Sequence, residues 1–150
     1  MVKTTARWFD RRREDGQALV FLVLMIPIFL AVVGLVIDGG YMFLQYRRAY
    51  ATANGAAQAA AQCVDKGHFA ATNQVRLNQA RAASAAREYV TLNGGGKLQL
   101  VSLAATGREV RVAVRARLDT MFMQIAGIDQ VTVSLQGIAY PAYGIRQQSE

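Results

Sequence analysis

The chain has 150 residues, 53% of them hydrophobic, and a formal net charge of +7. That length suggests one domain, and setting aside a strongly apolar N-terminal segment leaves roughly 110 residues, enough for two packed layers but not for a large enclosed active-site cavity. One cysteine, Cys63, excludes an intrachain disulfide and any metal site built on paired thiolates, leaving a small buried thiol or an intermolecular bridge as its roles.

Residues 1–16 read as a basic tail, with Lys3, Arg7, Arg11, Arg12 and Arg13 against Asp10, Glu14 and Asp15. A basic cluster beside an apolar run sets membrane topology and meets anionic headgroups, so nucleic acid need not be invoked as its partner. From Gly16 to Ile37 no side chain is charged, and Gln17 is the only strongly polar one. The run from Ala18 through Phe21, Pro27 and Gly34 meets the roughly 20 apolar residues that a spanning helix needs, and Pro and Gly are tolerated in such helices. Residues 17–37 are therefore expected to anchor the chain in the lipid bilayer. The excess of Lys and Arg ahead of the run puts the N-terminus in the cytoplasm and the C-terminal domain outside. A cleaved secretory signal is the competing reading, although its apolar core would normally be about 7 to 15 residues.

Asp38, Gly39 and Gly40 mark the exit from lipid, and Asp38 reads either as an interfacial charge or as a contact to a partner helix. The aromatics Tyr41, Phe43, Tyr46 and Tyr50 and the alanines that follow continue the helix to about Cys63, so residues 38–65 are expected to be a helical stem. Residues 66–150 then form a small extracytoplasmic domain. Asp65 to His68 interrupt the helical pattern, and a second helix is expected from about Asn73 to Leu92, with Val75, Ala82, Ala86 and Tyr89 on one stripe. Gly94, Gly95 and Gly96 stop it as a linker; no strand precedes them and no Gly-Lys-Ser/Thr follows, which argues against a phosphate loop.

Beyond the glycines the period becomes two. Val110, Val112, Val114, Ala116 and Leu118 alternate with Arg111, Ala113, Arg115 and Arg117, the pattern of a half-buried strand with a basic outer face. Lys97 to Ala104 reads as its hairpin partner, and Val131, Val133 and Leu135 open a third strand. Between them Asp119 or Thr120 is expected to cap a short helix carrying Met121, Phe122 and Ile125 and ended by Gly127. The fold class is α+β: a long N-terminal helix, then an antiparallel sheet of about three strands with packed helices.

Catalysis is not expected. His68 is the only histidine, Asp65 three positions before it forms no triad or metal spacing, and Ser84, Ser102 and Ser134 have no patterned base near them. No cofactor and no metal are called for. The basic strand face of Arg108, Arg111, Arg115 and Arg117 supports an alternative role, a membrane-tethered module for polyanions such as DNA or envelope polymers.

Asp15-Gly16-Gln17-Ala18-Leu19-Val20 leading into the apolar run with Pro27, then Gly34-Leu35-Val36-Ile37-Asp38, an aromatic and Arg-Arg stretch and an alanine-rich segment, together resemble the TadE/TadG-like proteins of the tight-adherence (Flp) pilus assembly system. The resemblance covers about residues 10–62. It implies a bacterial inner-membrane protein, a pseudopilin-like or minor pilus-assembly component whose partners are other Tad pilus components, with a prepilin-peptidase site between Gly16 and Gln17. Pilin-type precursors usually carry Glu five residues after that point; here the position is Phe21, closer to the TadG-like branch. A carboxylate there would be costly in lipid, so Phe21 removes both the cost and a polar handle for assembly and favours a persistent anchor over a filament subunit.

Overall fold

A computed structural model describes residues 11–106 and 109–141. Most of the basic tail and Arg108 lie outside the described residues.

The first helix, α1, runs from Arg11 to Ala61, 51 residues without a break, and is about 77 Å long at 1.5 Å per residue. It is long and apolar enough to cross a membrane. From Leu19 to Leu30 its side chains are exposed among the described residues, and Phe21, Phe29 and Leu30 are more than half so. Its second half behaves differently. Ala49, Ala53, Ala56, Ala57 and Ala60 are buried, and they form the centre of the core with Val110, Val112, Val114 and Leu135 from the sheet. The segment 38–65, read from the sequence as a stem, thus packs along the folded domain.

The sheet has three antiparallel strands in the order β1-β2-β3: β1 Leu98–Ala105, β2 Val110–Asp119 and β3 Gln130–Ala139. β2 alternates as its sequence predicts, with Val110, Val112, Val114, Ala116 and Leu118 buried beneath the helices. β1 does not alternate cleanly. Its register on β2 shifts between Leu100 and Ser102, leaving Val101 as an extra, outward-facing residue, a β-bulge on an edge strand.

Two corrections concern the helices. The expected second helix, from Asn73 to Leu92, begins later: α3 spans Gln79–Asn93, with the Asn78 side chain accepting from the Arg81 amide. Ala82, Ala86 and Val90 face the core, whereas Val75 lies before the helix. The stretch expected only to interrupt the pattern contains a short helix, α2 Lys66–Thr72, whose N-cap Asp65 accepts the His68 amide at 3.1 Å. Asp is a favoured N-cap residue, and Asp65 starts a helix here rather than merely ending one. The glycines act as expected, as the link from α3 to β1; Gly95 and Gly96 have φ of 56° and 73°, which no β-branched residue would tolerate.

Close approach sets two further glycines. A Cβ on Gly137 of β3 would stand 2.1 Å from the carbonyl oxygen of Ala53, and one on Gly55 would stand 2.4 Å from the Tyr89 ring. The sheet and α3 therefore lie directly on the alanine face of α1, close enough for the Asn54 side chain to accept the Ile138 amide at 3.3 Å.

Candidate functional site

The most organised polar feature is the joint where α1 leaves its bare apolar half and meets the end of the sheet. One stripe of α1 faces the domain: Gly34, Asp38, Met42, Gln45, Ala49, Ala53, Ala56 and Ala60 recur at intervals of three and four, the spacing of one helix face, and all are buried or half-buried. The alanines pack on apolar side chains. Asp38 and Gln45 instead hold backbone.

Asp38 is completely buried. Its Oδ1 accepts the amides of Met121 at 2.7 Å and Phe122 at 3.0 Å, and its Oδ2 accepts those of Phe122 at 3.0 Å and Met123 at 2.6 Å. Three successive amides converging on one point make a concave anion site, and a carboxylate is the side chain with two acceptor oxygens and the charge to fill it. These amides stand at the start of a short 3₁₀ helix, η1 Met123–Ala126, whose N-cap residue Phe122 offers no side-chain cap and which ends at Gly127 with φ of 83°. The cap expected from Asp119 or Thr120 is thus supplied from more than eighty residues away. Asp119 closes β2 instead, and Thr120 Oγ1 donates to the carbonyls of Ile128 and Asp129 across the base of the loop.

Two turns along α1, Gln45 grips the neighbouring backbone. Its Nε2 donates to the Asp119 carbonyl at 2.9 Å and its Oε1 accepts the Asp119 amide at 3.0 Å, so a side-chain amide pairs with the end of β2 as another strand would. The Asp119 carboxylate faces outward to Lys97, and that hydrogen bond holds the Lys97 ammonium above its ordinary range. One turn the other way, Gly34 lies beneath Phe122: a Cβ there would come within 3.0 to 3.1 Å of the Phe122 side chain.

The residues singled out in the sequence are distributed as follows. Gly16 and Gln17 are exposed and within α1, and Ala18, Phe21 and Pro27 lie along its exposed apolar half. Gly34 and Asp38 come together with the loop of residues 120–129. Arg111, Arg115 and Arg117 point outward from β2, and Arg111 pairs with Glu109 at 2.6 Å. Among the described residues no cluster of three or more His, Cys, Asp or Glu side chains is placed to hold a metal. Gln45 and the amides of residues 121–123 were not legible as a site. The available signal was the regular interval from Gly34 through Asp38 and Met42 to Gln45 and Ala49, which continues the face of the alanines into the exit of the span.

The arrangement holds a folded unit rigidly against a membrane helix; it does not bring together an acid, a base and a nucleophile. Residues 16–62 match the family model described as putative Flp pilus-assembly TadE/G-like, roughly a third of the chain. No curated protein and no solved structure matches it.

Proposed function

We propose, from the TadE/TadG-like character of residues 16–62, that this chain is a minor pilus-assembly or pseudopilin-like component of a Tad (Flp) pilus or secretion system and acts as structure rather than as a catalyst. One observation carries the reading: the family match covers both halves of α1, the apolar half left exposed for lipid and the alanine half buried under the domain. A component that must remain in the membrane while presenting a domain to other subunits needs those two halves on one rigid rod.

The chain lies in a bacterial inner membrane, its N-terminus in the cytoplasm and its domain outside, as the basic tail of residues 1–16 directs. Its partners are the bilayer and other pilus components, including pseudopilins, and prepilin peptidase if the bond between Gly16 and Gln17 is cut. Phe21 supports a chain that stays an anchor. The basic face of β2 supports no second reading, since Arg111 is tied to Glu109 and a polar strand face is ordinarily a solvated one.

The first test is the mass and N-terminal sequence of the protein purified from its native membrane. An intact tail is expected; a chain starting at Gln17 would instead identify a peptidase substrate able to enter a filament. Deletion of the gene is expected to abolish or reduce surface pili, and normal piliation in the deletion strain would overturn the assembly role.

A further inference from the structure

We infer that residues 120–128 of the 120–129 loop are a second membrane contact, an apolar foot that enters the leaflet on the side of the folded domain beside α1. The inference rests on α1 spanning the bilayer, and on three observations about the loop.

Its composition suits lipid. Thr120-Met121-Phe122-Met123-Gln124-Ile125-Ala126-Gly127-Ile128 has no charged residue, and its apolar side chains point away from the core: Ile125 is 85% exposed, Met121 50%, Phe122 43% and Ile128 43%. In water such a patch is a liability; in the interface it is an anchor.

Its position suits lipid as well. Phe122, Ile125 and Ala126 share a groove with Leu30, Ala31 and Gly34 of α1. Gly34 and Leu30 lie one and two turns before Asp38, so the loop sits about 6 to 12 Å toward the bilayer centre from the point where charge reappears on α1. Its apolar surface is continuous with the lipid-facing side of the helix, which makes acyl chains its occupant.

Finally, its backbone is prepared for a medium without water. Polar backbone groups in hydrocarbon must be satisfied internally. Here Asp38 takes the amides of Met121, Phe122 and Met123; Ile125 donates to Phe122, Gly127 to Gln124 and Ile128 to Met123, at 2.9 to 3.1 Å; and Thr120 closes the base against Asp129. At a solvated turn water can meet the same amides instead.

The test uses the full chain with Cys63→Ala, reconstituted at one copy per lipid nanodisc, with a nitroxide on a single introduced cysteine. Phe29→Cys marks the acyl limit and Gln136→Cys, on the outer face of β3, the aqueous limit. Ile125→Cys should match the Phe29 label: accessible to oxygen, shielded several-fold from a water-soluble nickel chelate relative to the Gln136 label. An Ile125 label as wet as the Gln136 label overturns the proposal. So does one that is wet at single copy and dries only when several copies share a disc, which would make the patch a contact between chains. A wet Phe29 label would remove the span itself, and the foot with it, while leaving the pilus role to the deletion strain.

Discussion

At the joint, a single carboxylate does what no neutral side chain of its size could. Asp38 offers one oxygen to each side of three converging amides, so Asp38→Asn would turn an acceptor into a donor that faces another donor. The expected result is faster hydrogen exchange at Met121, Phe122 and Met123, with the amides of β2 unchanged; uniform protection in the variant would show that the carboxylate is not what orders the turn. A second residue-scale prediction concerns Gly137. Any side chain there meets the backbone of Ala53, which cannot rotate away, so Gly137→Ala should lower stability by about 1–3 kcal/mol or more, read as a fall in the urea midpoint. At Gly55 the obstacle is the Tyr89 ring, a side chain that can move, and the same substitution should cost less.

Among the elements, β1 shows how a local irregularity preserves a global pattern. Leu98 and Leu100 face the core on one side of the bulge, and Leu103 and Ala105 on the other, with Val101 absorbing the change of phase. Deleting Val101 would therefore join two stretches already in register, Leu100 opposite Val114 and Ser102 opposite Ala113, and should leave the unfolding free energy within about 1 kcal/mol of the parent, as for other changes at exposed positions. Deleting Ala113 should be far worse, because a one-residue shift turns half of β2 onto the wrong face. Thermal unfolding of the two deletions distinguishes them: equal damage in both would mean that the bulge has a role beyond phase. This also accounts for what was readable of the sheet. The alternation of β2 is carried by five inward residues at every second position, whereas the bulge in β1 leaves a run of apolar and small residues whose phase only pairing to β2 reveals.

For the whole molecule, the central fact is that α1 is at once anchor and core. Alanines at helical spacing allow the sheet and α3 to approach the helix backbone, whereas the apolar run before them is exposed from Leu19 to Phe29 and meets the domain only near its end, where Gly34 lies beneath Phe122. The family match, ending at residue 62, takes in the helix and stops before the sheet. Folding of the domain is thus tied to the membrane segment through continuous helix, through the grip of Asp38 and Gln45, and through the packing of Phe122 on Gly34. Movement of one should be felt by the other.

What the sequence determined by itself was whatever depends on composition and period along the chain: a lipid-compatible helix from Gly16 onward, a basic flank, the glycine linker, the period-two strands and the α+β class. These follow from transfer free energies and from backbone geometry that repeats every 3.6 or 2 residues, so each is written within a short window. Only the tertiary structure decided that Asp38 is a buried cap rather than a charge at the interface, that Gln45 pairs with the end of β2, and that Phe122 and Ile125 line a groove beside Leu30. Each depends on atoms more than seventy residues apart, and a carboxylate's role is set by the donors that reach it, which local sequence does not specify.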